Sequence, residues 1–407
     1  MIGLVRGPLG GLESPVLPHP DKPTVLSPRA ERFAVLALAT GAFVMALNAN
    51  VMAALLPYLE EDPALGDALS PSGKGTLVGI AGIAGAAGAI LLGPVVDKMG
   101  RRPPMFVGML VFSLASLAHL FVEDYESLLW ARGSAGFAGG VVYSSASAAV
   151  ADLVPYERRA KAMGIFTAGM FLGLPVGLPL AGVMAESGNW QGIYLVQGAL
   201  GLLSMVAIRL TLPADLGKGT EFIANLSRLL RLEVFAALAS VMLYVGAFFT
   251  VVQLSGDWME ASGILPKSRQ WLVWLVLGLC SAMGSLGLGW VGDRIGKRRW
   301  ANITTLGVAV LLLALSTVDG VVGLTVVGVP MAVIAAARTA PFQALISELV
   351  PGNSRGTLMG IRSAAVNLGT GVFPVLFVLG DYRDNLYLAA GGIFVSFLMV
   401  QLLVKKR

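Results

Sequence analysis

The chain has 407 residues, of which 56% are hydrophobic and 13% are charged, and its mean hydropathy is +0.77. A soluble domain carries about 25% charged residues, so this composition excludes an ordinary soluble protein and indicates a helical membrane protein. The formal charge of +5 does not indicate nucleic-acid binding, because the basic residues lie between the apolar segments. The single cysteine, Cys280, excludes an intrachain disulfide, and His19 and His119 lie far apart, so we expect no cofactor and no metal site.

Residues 1–32 contain several prolines and no apolar signal-peptide core, so we predict a flexible cytoplasmic tail. Twelve apolar segments follow, each near the roughly 20 residues that cross the hydrocarbon core of a bilayer. Six lie in residues 33–212 and six in residues 234–407. Residues 213–233 join the two sets and contain an amphipathic stretch, Glu221–Glu233, which we predict to be an interfacial linker helix. The predicted spans are Phe33–Leu59, Thr76–Val96, Pro103–Val122, Leu128–Val154, Ala162–Ala185, Gly192–Leu212, Val234–Gly256, Gln270–Val291, Trp300–Val318, Val321–Leu349, Thr357–Leu379 and Leu386–Val404.

The placement of lysine and arginine predicts the orientation of the chain. Of the 29 basic residues, 22 lie in the tail, the linker, the C-terminus and the loops of one face. The remaining seven lie in the loops of the other face or inside spans: Lys74, Lys267, Arg269 and Arg383 in loops, and Arg132, Arg338 and Arg362 in spans. We therefore expect the face rich in basic residues to be cytoplasmic, with both termini inside the cell.

Two motifs repeat at the same distance along the chain. GPVVDKMGRR, at Gly93 to Arg102, returns as GWVGDRIGKR at Gly289 to Arg298, with a lag of 196 residues. ADLVPYERRAKAMGI, at residues 151–165, returns with the same lag as SELVPGNSRGTLMGI at residues 347–361. Two separate blocks at one lag, close to half the chain length, indicate a duplicated membrane protein.

Six spans in each half, with G-x-x-x-D-[RK]-x-G-[RK]-R after the second span of each, resemble the major facilitator superfamily. The resemblance covers the chain from about Ala30 onward. It implies an all-α fold of two pseudo-symmetric six-helix bundles that rock against each other around a central cavity. It also implies a multi-pass transporter in a plasma membrane of the bacterial inner type, acting as a monomer on a small molecule.

The repeated motifs supply a candidate gate. Asp97 lies at the cytoplasmic end of a span, where it can accept hydrogen bonds from a neighbouring helix N-terminus or pair with an arginine such as Arg159. Such contacts would form in one rocking state and break in the other. The alternative is that the motif sets only orientation and turn geometry. The candidate gate residues are Gly93, Asp97, Arg101, Arg102, Asp152 and Arg159 in the first half, and Gly289, Asp293, Arg298, Glu348 and Arg355 in the second.

Three spans of the first half carry further similarities to the family. Arg132, followed by Gly136 and Gly140, is similar to the R-x-x-x-G-x-x-x-G of the fourth helix, although Arg132 can also be interpreted as reaching the outer interface. The stretch Gly169–Gly182 is similar to the glycine-proline motif of antiporters, and it predicts a kinked helix with a small-residue face. Asn48 stands where drug exporters of this family often have an aspartate.

The second half carries two arginines inside spans. Arg338 lies deep in the tenth span and has no counterpart in the repeat, because the equivalent position is Val142, whereas Arg362 lies about 10 Å into the eleventh span. No carboxylate lies near the middle of any span, so the candidates for proton coupling are Asp257 and Asp97. The candidate substrate residues are Asn48, Arg132, Tyr143, Tyr244, Arg338 and Gln343.

These features lead to a hypothesis of secondary active transport, namely proton-coupled efflux of small drug-like molecules by alternating access. The alternative is a carrier of organic anions or sugars, because three arginines within spans and no central carboxylate would give a positive cavity. A sensor that has lost transport is disfavoured by the gate motifs of both halves. The sequence contains no nucleophile–base or metal constellation that would indicate an enzyme.

Overall fold

A computed structural model describes residues 27–154, 156–214, 216–217, 231–350, 355–377 and 381–404. Every regular element in these ranges is helical, and twelve long helical segments follow one another. The predicted linker helix lies mostly outside the described residues, as does the tail up to residue 26. The segments are α1 (Pro28–Leu59), α2 (Pro71–Met99), α3 (Arg102–Phe121), α4 (Tyr125–Leu153), α5 (Tyr156–Leu172, Gly173–Gly177 and Leu178–Glu186), α6 (Gly192–Thr211), α7 (Leu232–Ala261), α8 (Gln270–Ile295), α9 (Lys297–Leu315), α10 (Val321–Ser347), α11 (Arg355–Phe377) and α12 (Tyr382–Leu403).

Ten of these helices are long and apolar enough to cross a membrane by length and composition. The other two, α4 and α8, have 29 and 26 residues, which is more than the length a span needs. Twelve alternating crossings place the two ends of the described chain on one face. We call this the terminal face, and we call the other the opposite face.

Several helices begin before the predicted spans because they are capped by polar residues outside the apolar runs. α1 starts at Pro28, not Phe33, because the Ser27 side chain accepts a hydrogen bond from the backbone of Ala30. The predicted tail boundary at residue 32 therefore moves to residue 27. α2 starts at Pro71, not Thr76, behind Ser70 in the same arrangement. In both helices a proline at the first position needs no hydrogen-bond partner for its nitrogen.

α5 changes from an α-helix to a π-helical turn over Gly173–Gly177. Pro175 lies in this turn and cannot donate a backbone hydrogen bond, so the regular ladder is interrupted there. Gly278 on α8 lets that helix approach the turn, because a Cβ placed on Gly278 would fall 2.7 Å from the backbone nitrogen of Pro175. π-Helical turns are a common cause of helix kinks, so this turn agrees with the kinked helix predicted from the glycine-proline motif.

The buried apolar residues show where the two halves meet. One cluster around Met109 and Phe112 draws only on the first half, and one around Val241 and Phe342 draws only on the second. The third cluster contains residues of both halves, including Leu55 near the end of α1 and Met259 near the end of α7, which lie on the opposite face. Among the described residues, the two halves therefore share their core toward the opposite face and have separate cores toward the terminal face.

Besides α4 with α11, the helix pairs in extensive contact across the halves are α1 with α7, α2 with α11, and α5 with α8. Exchanging the halves turns α2–α11 into α8–α5 and leaves α1–α7 unchanged, so these contacts follow the pseudo-symmetry of the sequence repeat. α2 and α11 approach each other closely. A Cβ on Gly82 would lie 2.5 Å from the backbone nitrogen of Gly371, so the two helices touch backbone to backbone.

Candidate transport site and gates

Arg338 is held inside the second half between three helices. Its guanidinium carbon lies 3.8 Å from the ring centroid of Tyr244 on α7 and 4.0 Å from that of Phe342 on α10. Its Nε donates a 2.7 Å hydrogen bond to Thr305 Oγ1 on α9, whereas its Nη2 has no hydrogen-bond partner within the described part of the chain. Arg338 is 3% exposed, so this conformation seals it from solvent.

Arg362 lies between Arg338 and the first half. It is partly exposed, and its Nε is another guanidinium nitrogen for which the described residues provide no hydrogen bond. Its positive charge acts on the hydroxyl group of Tyr143 on α4 and also on Arg338. Gln343 faces Met359, which lies one turn before Arg362 on α11, at 4.0 Å from Nε2 to Sδ. Two of the predicted substrate residues, Tyr143 and Arg338, therefore interact with Arg362, while Tyr244 contacts Arg338 and Gln343 contacts Met359.

The two arginines have no acidic residue at their level. No Asp or Glu lies between Glu126 and Asp152 in α4 or between Glu233 and Asp257 in α7, and α10 and α11 contain none. A buried arginine costs about 2.5–3.5 kcal/mol at the centre of a span, and a desolvated cation–π contact contributes about 2 kcal/mol. The two rings therefore offset much of the cost of burying Arg338, but they leave its charge in place, and Arg362 adds a second. The site has a positive potential.

Asn48 and Arg132 form a separate polar cluster in the first half. Arg132 is 1% exposed, and its Nη1 donates to both the backbone oxygen and the side-chain Oδ1 of Asn48, at 3.1 and 3.2 Å. The nearby ring of His119 stacks on Tyr194 with centroids 3.8 Å apart, and its Nδ1 contacts the backbone oxygen of Ala115. Arg132 therefore does not reach the outer interface, and the structure does not bring it to Arg338. Asn50, two residues after Asn48, bonds back to its own helix at Ala46.

The two halves are locked together at the opposite face. Lys74 Nζ on α2 lies 2.6 Å from Asp257 Oδ2 on α7, and it also pairs with Glu60 in its own half. Gln253 on α7 accepts a hydrogen bond from the backbone nitrogen of Ala53 and donates one to the backbone oxygen of Ala49, both on α1. Asp257, a predicted proton site, is thus part of an ion pair that bridges the halves.

At the terminal face, the repeat produces the same ion pair twice. Arg101 Nε lies 3.3 Å from Asp152 Oδ2, and 196 residues later Lys297 Nζ lies 2.5 Å from Glu348 Oε1. Each pair stays within its own half. Arg102 and Arg298 also bond within their halves, each to a backbone oxygen, of Arg209 and Gln401 respectively.

The other predicted gate residues give less information. Gly93 lies in the last two turns of α2. The side-chain surroundings of Asp97, Arg159, Gly289, Asp293 and Arg355 lie outside the described part of the structure, so their gate roles stay predictions.

Sequence reasoning missed three polar residues of these sites: Lys74, Gln253 and Thr305. Lys74 was counted only as a loop charge, although a lysine on the face poor in basic residues is itself unusual. Gln253 stands alone in the apolar stretch VVQLSG, and an isolated amide inside a span is a signal for a helix–helix hydrogen bond. Thr305 carries no such signal, because its partner Arg338 is 33 residues away on another helix.

Two six-helix halves related by pseudo-symmetry, locked at one face and carrying buried charges at their junction, define a polytopic membrane transporter of the alternating-access type. Residues 38–374 match the family described as Major Facilitator Superfamily, and the chain belongs to this family. Membership makes it a multi-pass carrier of a small molecule and not an enzyme. The family resemblance of the sequence motifs is thereby confirmed.

Individual relatives are distant. The chain is 26% identical to the inner membrane transport protein YdhP of Escherichia coli O157:H7, over 89% of each chain. It is 27% identical to the 3-(3-hydroxy-phenyl)propionate transporter of Escherichia coli K12, over 80% of this chain and 84% of that protein. It is 23% identical to multidrug resistance protein 2 of Bacillus subtilis 168, over 82% and 85%.

Among solved structures, the crystal structure of a D-xylose-proton symporter superposes with a TM-score of 0.74 at 16% sequence identity. The match covers 92% of this chain and 98% of the symporter. At this identity the likeness shows the fold alone, and it confirms the predicted all-α architecture of two helical bundles.

Proposed function

We propose that this protein is a secondary transporter of small organic anions. It recognises the carboxylate group of its substrate and favours substrates that also contain an aromatic ring. The observation that carries the proposal is the pair of arginines, Arg338 and Arg362, without an acidic residue at their level. Each has a guanidinium nitrogen with no hydrogen-bond partner among the described residues, and a carboxylate is the planar acceptor that such nitrogens bind best. Tyr143 is partly exposed beside Arg362, so its ring can contact an aromatic substrate.

The proposed binding order follows from exposure. Arg362, Tyr143 and Gln343 are partly exposed, whereas Arg338 and Tyr244 are buried behind them. A substrate would therefore meet Arg362 first and reach Arg338 as the two halves close around it. The relative named for 3-(3-hydroxy-phenyl)propionate, an aromatic carboxylate, supports this substrate class.

We further propose that the terminal face is cytoplasmic, as the distribution of basic residues indicates. The conformation described here, locked at the opposite face, is then the inward-facing state of a monomeric carrier. Release of Lys74 from Asp257 would open the outward-facing state, while the terminal-face motifs, Asp97 among them, would close the cytoplasmic side.

The test is ligand binding to purified protein. We expect 3-(3-hydroxyphenyl)propionate to raise the thermal stability and its neutral amide to leave it unchanged. Arg338→Met removes the charge but keeps an apolar side chain that fills the space between Tyr244 and Phe342. Hydrogen bonds to charged groups contribute about 1.5–3 kcal/mol, so this variant should bind the carboxylate about tenfold to a hundredfold more weakly.

The matched control is Arg383→Gln, which removes one positive charge from an exposed loop at the opposite face. It should bind the carboxylate as the unaltered protein does. Equal binding of the acid and its amide, or full affinity in a folded Arg338→Met variant, would contradict the proposal.

A second candidate is proton-coupled export of drug-like cations. The π-helical turn within the glycine-proline stretch of α5 and the relative named as a multidrug resistance protein favour it. In that case Asp257 or Asp97 would take up the proton. Stabilisation by tetraphenylphosphonium that is stronger at pH 8 than at pH 6, with no response to carboxylates, would support this candidate over the first.

A further inference from the structure

A cavity opens at the terminal face of the second half, away from the proposed substrate site. It has a volume of about 780 Å³ and lies where the turn between α8 and α9 meets the ends of α10 and α12. One part of its lining is basic and another part is apolar, and the two parts are arranged along α9. A ligand that fits it must therefore carry a charged end and a hydrocarbon end.

The basic part is formed by three consecutive residues at the start of α9. Lys297 is paired with Glu348, but Arg298 and Arg299 bring two further positive charges to the lining. Arg298 Nη2 donates to the backbone oxygen of Gln401, and its buried Nε has no hydrogen-bond partner among the described residues. The charged lining therefore has a net charge of plus two and an unused donor, which an anionic group would satisfy.

Asn302, one turn further along α9, gives an independent sign of a ligand. It is 8% exposed, and its Nδ2 donates to the side chain of Gln401. Its Oδ1 has no hydrogen-bond donor in the described part of the protein. A buried acceptor without a donor is costly, so we expect a hydroxyl group of the ligand to donate to it.

The apolar part continues down α9 toward the hydrocarbon core. Ile303 and Leu306 are 49% and 39% exposed, and Phe397 on α12 lies across from them in the same lining. Leu306 is nine residues into α9, about 13 Å along its axis. This depth is reached by an acyl chain whose headgroup lies at the membrane surface.

We propose that this groove binds an anionic phospholipid with a glycerol headgroup, of the phosphatidylglycerol type. Its phosphodiester accepts hydrogen bonds from Arg298 and Arg299, a headgroup hydroxyl donates to Asn302 Oδ1, and one acyl chain lies along Ile303, Leu306 and Phe397. A zwitterionic lipid lacks the net negative charge that the lining complements.

The test uses native mass spectrometry of the full-length protein after delipidation, in mixed micelles with equal amounts of phosphatidylglycerol and phosphatidylcholine. We expect the unaltered protein to retain phosphatidylglycerol in preference. Arg299→Gln should lower its retention about tenfold relative to the unaltered protein. Leu306→Trp, which narrows the apolar part without changing charge, should also lower it.

Arg209→Gln is the matched control, because it removes an exposed charge from the terminal face outside the groove. It should retain phosphatidylglycerol as the unaltered protein does. Equal retention of the two lipids, an equal loss in Arg209→Gln and Arg299→Gln, or full displacement by water-soluble glycerophosphoglycerol would each overturn the proposal. The last outcome would mean that the groove binds a free anion and not a lipid.

Discussion

Removing the carboxylate of Asp257 should shift the protein away from the conformation described here. Among the described residues, Lys74 pairs across the halves with Asp257 at 2.6 Å, and the side chains of Asp257 and Lys74 are 24% and 15% exposed. At this burial a hydrogen bond between charged groups contributes about 1.5–3 kcal/mol. Lys74 keeps Glu60 as a second partner, so Asp257→Asn loses the cross-half bond without leaving the lysine uncompensated.

We therefore take the lower end of the range, about 1.5 kcal/mol, which corresponds to roughly a tenfold change in the equilibrium between the closed and open opposite face. Lys74→Gln should have a larger effect. It removes the same cross-half bond and also leaves Glu60 and Asp257, two carboxylates on different halves, facing each other without their cation, so we expect about 3 kcal/mol, or more than a hundredfold.

The assay is a distance measurement between spin labels on the two halves. Labels at Asp67→Cys and Thr317→Cys lie on exposed loops of the opposite face, and Cys280→Ser removes the native thiol. Opening should appear as a population at longer distance, small in the unaltered protein, larger in Asp257→Asn and dominant in Lys74→Gln.

Asp319→Asn is the control for the lock. Its carboxylate pairs with Arg383 at 2.9 Å, also on the opposite face, but both residues belong to the second half. The substitution changes the charge equally and breaks no contact between halves, so the distance distribution should stay unchanged. If Asp257→Asn moves the distribution no further than Asp319→Asn, the ion pair does not hold the face closed and the reasoning is refuted.

Two further substitutions test the packing of the spans. Gly82→Ala places a Cβ 2.5 Å from the backbone nitrogen of Gly371, so it should open the opposite face in the same spin-label assay, whereas Gly391→Ala, whose Cβ would have no neighbour within 4 Å, should not. Asn48→Asp gives the buried Arg132 a counter-charge, since Oδ1 already lies 3.2 Å from its Nη1, and thermal melts at neutral pH should show a gain of about 1–3 kcal/mol. An unchanged melting temperature at neutral pH would contradict this expectation.

The sequence predicted the number and order of the helices because each span needs a long apolar run, and such runs are visible without knowledge of their neighbours. It misplaced several helix starts by up to six residues. Ser27 and Ser70 cap α1 and α2 from outside the apolar runs, so the interfacial turns they begin have no hydropathy signal. The duplication explains why Arg101–Asp152 recurs as Lys297–Glu348 at the terminal face, whereas the pairing predicted there, Asp97 with Arg159, stays a prediction.

The contacts that assemble the site join residues far apart in the sequence, and the sequence does not predict them. Lys74 and Asp257 are 183 residues apart, and Arg338 and Thr305 are 33 apart on separate helices. No repeating pattern in the sequence indicates that these residues pair, because the pairing depends on which helix faces meet after the bundle has packed. The sequence could therefore nominate Arg338 and Asp257 from their type and depth, but it could not assign Thr305 or Lys74 as their partners.

Residues that recur in both halves and residues that occur in only one half have different roles in the proposed transport. The repeat conserves the ion pairs of the terminal face and the helix pairs that cross between halves, which are the parts that a rocking motion needs in both halves. The buried arginines do not follow it, since Val142 is the counterpart of Arg338 and Gly328 is the counterpart of Arg132. A charge that symmetry does not require, buried at a cost of several kcal/mol, is retained only if something compensates it. For Arg132 the compensation is the amide of Asn48 in its own half, and its Nε has no hydrogen-bond partner among the described residues. For Arg338 the compensation is two aromatic rings and one hydroxyl group, and its Nη2 likewise has no partner among those residues. What distinguishes Arg338 is the second positive charge of Arg362, with which it interacts electrostatically, and the proposed carboxylate would neutralise this pair of charges.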